Sequence, residues 1–186
     1  MLIILSGVAG SGKDTIKVEL MKRNPKLGTI KSYTTRAPRD NKDDLDRYFF
    51  VSQEEFVDLI EKEKLYEYSI HHDNYYGTSK DELDGQIANG KIVIKDIDVN
   101  GTRELMDIFK DELKTISIFL KVKKEELYQR LLDRGETPEN AERRLARLEY
   151  EESMLTMYDY VVHNDNLEKT LNIIERIIEE EYKLKQ

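Results

Sequence analysis

The sequence predicts an α/β fold on a parallel core sheet, and three observations carry that prediction. The chain opens on a short all-apolar run, Leu2 to Leu5, that passes directly into a glycine-rich turn and then a helical pattern. Further β-rich runs, Lys91 to Ile94, Thr115 to Leu120 and Tyr160 to Val162, alternate with helical stretches, which is the rhythm of parallel strands joined by crossover helices. Between about residues 29 and 90 that rhythm breaks into aromatic and polar alternation, which marks an insert mounted on the sheet.

Each element follows from local chemistry. Leu2 to Leu5 has no polar position, as expected of a central strand covered on both faces, and the helix that begins near Asp14 is stopped by Asn24-Pro25. In the insert, RYFFV and LYEYSI read as strands, Asp73-Asn74 as a turn, and Ser52 with Glu55 and Ser79 with Glu82 as two capping boxes that start short helices. From Lys124 to Met157 the chain is highly charged; Gly135 ends one helix and Thr137-Pro138 starts the next, giving a mobile helical hairpin. In the last helix Leu167, Leu171, Ile174 and Ile178 fall on one face, which predicts packing on the core.

Composition narrows the function classes. A chain of 186 residues suits one compact unit that buries roughly two thirds of the surface its unfolded form exposes. With a net charge of -8 and an isoelectric point near 5.1, it is not built as a general binder of nucleic acid or anionic membrane, so an anionic ligand needs a local basic cluster. The absence of cysteine removes disulfides and thiolate metal sites. The opening apolar run is too short for a membrane span and lacks a basic leader, so a soluble cytoplasmic protein is expected, with neither membrane nor nucleic-acid partners, as monomer or homodimer.

Two clusters point to phosphate. The stretch GVAGSGKDT, Gly7 to Thr15, fits GxxxxGK[ST] except at Asp14. Its glycines let successive backbone N–H groups curl around an anion, the following helix N-terminus adds a positive dipole end, and Lys13 reaches the outer phosphates. Where the pattern has a hydroxyl for magnesium, Asp14 offers a carboxylate, a stronger ligand in charge terms that repels phosphate when the metal is absent. Thr15 is the alternative hydroxyl. In SYTTRAPRD, Arg36 and Arg39 are held apart by a proline-stiffened turn, and two guanidinium groups placed so can fork onto one phosphate.

Taken together and in order, SGVAGSGK, SYTTRAPR, YFFV, EYSIHHDNYYGT, KDIDVNG, RLLDRG, RRL and YDYVVHNDNL resemble the guanylate kinases over almost the full chain. The resemblance implies a three-layer P-loop kinase fold with a core (1–31, 91–123 and 158–186), a mixed α+β GMP-binding insert (32–90) and a helical lid (124–157). It implies ATP-dependent phosphorylation of GMP, and of dGMP, with Mg2+ accompanying ATP. ATP then lies on Val8, Ala9, Gly10, Ser11, Gly12, Lys13, Asp14 and Thr15, with Arg134 and Asn164 near it. The GMP phosphate lies on Arg36, Arg39, Tyr48 and Tyr76, beside Gly77.

Guanine selection can be argued from chemistry. The Watson–Crick edge of guanine presents two adjacent donors, N1–H and the 2-amino group, and a carboxylate accepts both; adenine N1 is an acceptor and would leave that carboxylate unpaired, at about 1–3 kcal/mol. By resemblance Glu67 is that carboxylate, Asp98 is the second acid, and Ser32 and Thr78 lie near O6. Phosphoryl transfer needs alignment and positive charge more than a covalent group. The resemblance assigns that work to Lys13, Arg36, Arg134 and Arg144, with Arg130 a further candidate, and the metal to Asp14.

Besides Asp14, Lys95 stands where the family usually has an apolar residue and Arg47 where an aspartate is common. Three rival readings touch parts of the same sequence. A GTP switch would explain NKDD at Asn41 and DVNG at Asp98, but their order is reversed. A kinase of the same fold for another small phosphate or deoxynucleotide would not need both Glu67 and Asp98. A catalytically weak binding module of the guanylate-kinase type would typically lose the glycine loop, and here Gly12 and Lys13 remain.

Overall fold

The computed structural model describes residues 1–38, 42–71 and 73–183. The glycine loop separates β1 (Leu2–Ser6) from α1 (Lys13–Arg23), and β2 (Leu27–Gly28) follows. The insert contains β3 (Ser32–Thr34), α2 (Lys42–Arg47), β4 (Tyr48–Phe50), α3 (Gln53–Glu61), β5 (Leu65–His71), β6 (Asn74–Ser79) and α4 (Lys80–Ala88). The chain returns to the core through β7 (Ile92–Asp96), α5 (Val99–Phe109) and β8 (Thr115–Lys121). Next come α6 (Lys124–Asp133), α7 (Pro138–Leu145), α8 (Leu148–Ser153) and a 3₁₀ turn (Leu155–Met157), and the chain closes with β9 (Tyr160–His163) and α9 (Leu167–Lys183).

The core sheet runs β2-β7-β1-β8-β9 with every pair parallel, so β1 is central and its five side chains are all buried. On one face Ile3, Leu5, Ile94 and Ile118 meet Ile16 and Leu20 of α1 and Leu171, Ile174 and Ile178 of α9. On the other, Leu2, Ile4 and Val93 meet Leu83 of α4 and Leu105 and Phe109 of α5. These two faces give three layers. Leu105 is fully buried, and truncating such a residue to alanine costs about 2–5 kcal/mol. A third cluster, including Val8, Phe119, Leu127, Leu131, Ala141 and Leu145, ties α6 and α7 to the core, so the base of the charged segment is anchored by apolar packing.

The insert carries its own sheet, β4-β3-β6-β5, in which β3 and β4 are parallel and the other pairs antiparallel. Asp73 takes a φ of 62° at the turn between β5 and β6, a left-handed value that aspartate tolerates. Two local expectations need correction. Ser52 and Glu55 complete both halves of their box, but at α4 only Ser79 does so, accepting from Glu82 N at 3.3 Å, and the return bond from Glu82 is not made. Leu167 is 40% exposed, because it lies in the first turn of α9, before the helix reaches the sheet; Ile177 takes its place in the buried stripe.

Candidate active site

A cleft of about 600 Å³ lies between the glycine loop, the insert sheet and the ends of β7 and α7. The loop owes its shape to Gly7, Gly10 and Gly12, whose φ values are 147°, 85° and 92°. Gly12 caps α1 in the left-handed conformation with no side-chain acceptor, so the first N–H groups of this 11-residue helix remain available to an anion. Lys13 bends back over its own loop and donates to the carbonyls of Gly7, at 2.5 Å, and of Val8, at 3.2 Å. Its ammonium pKa is lowered, chiefly by burial, with Arg134 adding to the effect and Asp96, Glu151 and Asp14 opposing it.

The loop is braced from below. Asn164, 6% exposed, donates from Nδ2 to Ser11 O at 2.7 Å, and Arg130 reaches Asn164 O at 2.7 Å and Gly10 O at 3.4 Å. The start of α9 is served instead by Asn166, whose Oδ1 accepts from Lys169 N at 3.0 Å. Val8 is buried among the apolar residues that hold α6 and α7, which leaves its backbone as the part that faces the loop, while Thr15 is exposed on the third helical position.

Three strands of the insert set out one wall of the cleft. Ser32 lies opposite Tyr48 on β4 and opposite Thr78 on β6, and Thr34 lies opposite Phe50 and Tyr76, so these side chains share one face. Arg36 continues the row, its guanidinium 5.3 Å from the Tyr48 ring centre and 5.6 Å from that of Phe50. Both Arg36 contacts to Asp44 come from Nη2, at 2.8 and 2.9 Å, and Nη1 donates to Ala37 O at 2.7 Å. The Tyr48 and Tyr76 rings meet edge-on at 6.0 Å, and burial pushes the Tyr48 hydroxyl up to about 12. Arg39 lies outside the described residues.

At the inner end of the wall, the register of β5 against β6 shifts between Leu65 and Tyr68, an irregularity that re-aims the side chains between them. Glu67 sits there, 5% exposed, and accepts from the Thr78 hydroxyl through Oε1. Burial raises its pKa, opposed by the Thr78 bond and by Lys95. Gly77 permits this packing: a Cβ there would stand 2.8 Å from Leu65 and 3.0 Å from Phe56. Lys95 Nζ donates to Ser32 Oγ. Asp98 caps α5, accepting from Gly101 N at 2.9 Å, and its other oxygen is 3.8 Å from Arg147.

The arginines of the charged segment lie at the mouth. Arg144 lines the cleft while paired with Glu136 at 2.7 Å, and exposed Arg134 ends α6, near enough to affect the Lys13 ammonium.

A magnesium ion accompanying a nucleotide finds a fitting ligand here. No group of three or more metal-binding side chains exists among the described residues, and magnesium at such sites takes one or two carboxylates together with substrate phosphates and waters. Asp14, half exposed on the first turn of α1, is such a carboxylate, and its present partner is Arg47, Nη1 to Oδ1 at 2.9 Å.

Sequence reasoning missed Asp96, Lys17 and Arg47 as parts of the site. Asp96 stands beside Leu5 in register at the end of β7 and holds the Lys17 ammonium. Burial works against its charge, but Lys17, Lys95 and Lys13 outweigh that and keep its pKa well below the usual carboxylate range. The available signal was IVIKD, an apolar strand ending in an acid next to the strand that feeds the glycine loop.

Comparison with known proteins shows the family and the fold. The family model described as guanylate kinase matches residues 1–181. A guanylate kinase of Helicobacter pylori is 42% identical over 175 residues, covering 93% of this chain and 84% of its own. One from Prochlorococcus marinus is 38% identical over 180 residues, covering 95% and 96%. Among solved structures, the guanylate kinase from Anaplasma phagocytophilum superposes with a TM-score of 0.79 at 26% identity, covering 97% of this chain and 85% of that one.

Proposed function

This chain belongs to the guanylate kinase family, and from that premise we propose how its cleft carries out the ATP-dependent phosphorylation of GMP. The polypeptide divides into a core (1–31, 91–123 and 158–186), a GMP-binding insert (32–90) and a lid (124–157). ATP lies with its phosphates over Val8 to Thr15, and the GMP phosphate lies on Arg36, Arg39, Tyr48 and Tyr76. Guanine lies against Glu67, Ser32, Thr78 and Asp98. The observation that carries this reading is Glu67, a buried carboxylate in the cleft wall with one oxygen on Thr78 and no hydrogen-bond partner for Oε2 among the described residues. Such an acceptor is suited to N1–H and the 2-amino group of guanine.

In the reaction, an oxygen of the GMP phosphate attacks the γ-phosphorus of ATP in line, and the bond to the ADP oxygen breaks. Lys13 leaves its own carbonyls for the ATP phosphates and follows the charge that develops on the transferred group. Arg134 and Arg144 approach from the lid to the same end, and Arg36, held by Asp44, keeps the acceptor phosphate aligned. Asp14 would hold the magnesium that accompanies ATP, and that ion would supply positive charge against the phosphates. Lid and insert closing together exclude the water that would otherwise hydrolyse ATP. We extend the same roles to dGMP and assign the enzyme to the cytoplasm, where both nucleotides are dissolved.

A coupled assay of ADP release with GMP, dGMP, AMP and UMP tests this reading. GMP and dGMP are expected to be turned over and AMP and UMP left near background; equal turnover of all four would overturn it.

A further inference from the structure

Lys95 is a buried cation in β7, following the apolar run Ile92 to Ile94 and preceding Asp96. Side chains alternate along β7: Ile94 packs toward α1 and α9, while Val93 joins the cluster against α4 and α5, so Lys95 shares the Val93 face and points toward the insert. It is 6% exposed and lines the cleft with Ser32, Glu67, Gly77 and Asp98. Burying an ammonium here costs stability unless it is paired. Burial lowers its pKa, and Asp96 and Glu67 hold it up.

The consequence lies in hydrogen-bond polarity. A hydroxyl has one proton to give and lone pairs to accept with, whereas an ammonium only donates. Because Lys95 donates to Ser32 Oγ, the serine proton must go elsewhere, and no described residue takes it. Thr78, directly opposite Ser32 across the β3–β6 pair, has already given its proton to Glu67. Of the two hydroxyls, Ser32 alone is left to donate to a ligand.

We propose that Lys95 is a positioning residue that determines base specificity through Ser32: it commits the Ser32 hydroxyl to donate toward O6 of guanine while Glu67 accepts from the neighbouring donors. A 6-amino group at that position brings donor against donor, so adenine is rejected at position 6 as well as at N1. The inference rests on the placement of guanine between Ser32 and Glu67 proposed above.

The test compares Lys95→Met, Lys95→Gln and Ser32→Ala on three substrates: GMP, inosine monophosphate, which keeps O6 without the 2-amino group, and 2-aminopurine riboside monophosphate, which keeps the amino group without O6. Lys95→Met is expected to raise KM for GMP and inosine monophosphate by about 10-fold with kcat nearly unchanged, and to alter the 2-aminopurine nucleotide by less than about 3-fold. Lys95→Gln, still a donor to Ser32, is expected to recover most of the loss, and calorimetric ADP affinity should stay constant. Equal losses on all three substrates, or no loss on GMP, would overturn the proposal. Should Lys95→Met not fold, Ser32→Ala must show the same O6-selective loss, and an unselective one overturns it too. Failure of the guanine placement itself would look different: Glu67→Gln and Ser32→Ala would both leave KM for GMP unchanged.

Discussion

The carboxylate of Asp14 and the guanidinium of Arg47 meet at 2.9 Å, joining the first turn of the phosphate-loop helix to the end of α2 in the insert. Both groups are partly exposed, 49% and 31%, so the pair contributes at most about 1 kcal/mol to folding. Its consequence is electrostatic: the arginine neutralises a carboxylate beside the phosphate site proposed above, where a metal would take its place. Arg47→Ala is therefore expected to weaken ATP binding several-fold in EDTA and much less with excess magnesium, as read by calorimetry. Asp14→Ser should keep activity, and Asp14→Ala should lose more at low magnesium than at high. Equal effects at both magnesium levels would separate Asp14 from the metal.

Lys13 donates to the neutral carbonyls of Gly7 and Val8, and charged phosphates are stronger acceptors. Removing it deletes charge that matters most in the transition state, so Lys13→Ala should lower kcat by about 10²-fold or more while GMP affinity, measured by titration calorimetry, changes little. Parallel loss of GMP binding would contradict the separation of the two phosphate sites.

Glu67 gives a pH prediction with two opposite signs. Burial raises its folded pKa above the usual carboxylate value. In the window between the two, the folded state holds more protons than the unfolded, so its contribution to stability is present at low pH and is lost as pH rises through the folded pKa. Guanine binding needs the ionised form and so falls as pH drops through the same range. Glu67→Gln should accordingly leave the melting temperature equal or higher and cut GMP preference over inosine and adenine nucleotides by about 10- to 100-fold. A variant that melts lower and keeps its preference would sink this account.

Much of the fold was legible because a central parallel strand is covered on both faces and must be apolar throughout, as Leu2 to Leu5 shows. The helix starts at Ser52 and Thr137 were legible for a similar reason, since capping is a contact within a few residues. What sequence could not give were partners distant in the chain. Arg47 and Lys95 stood out as unusual residues, but that one pairs with Asp14 and the other with Ser32 depends on how the insert folds over the core. The same limit hid Asp44: a run of acids in a polar loop reads as solvated, yet one member is 5% exposed and grips Arg36.

On the GMP placement proposed above, that grip makes Asp44 a residue that positions the arginine of the substrate phosphate. The Asp44 hydrogen bond is the largest influence holding the Arg36 charge, with burial opposing it. Asp44→Asn keeps the shape and one acceptor but loses the charge, and is expected to raise KM for GMP about 3- to 10-fold with kcat less affected. A larger fall in kcat than in affinity would show that Arg36 acts mainly on the transferred group.

Gly12 and Asn164 provide the sharpest steric test of the loop. A Cβ on Gly12 would lie 2.6 Å from Nδ2 of Asn164, an amide fixed by its bond to Ser11 O, and φ at this position is 92°, where side chains are strained. Gly12→Ala thus meets two separate obstacles, the contact and the backbone angle, of which the second costs about 1–3 kcal/mol. Asn164→Ala removes the contact while also removing a brace of the loop. Measured by ADP titration, Gly12→Ala should weaken binding at least about 10-fold, Asn164→Ala less, and the double variant should bind better than the two losses added together, because the clash exists only while both side chains are present. Strict additivity would mean that the loop shifts away from Asn164 on its own, and that its rigidity comes from Arg130 instead.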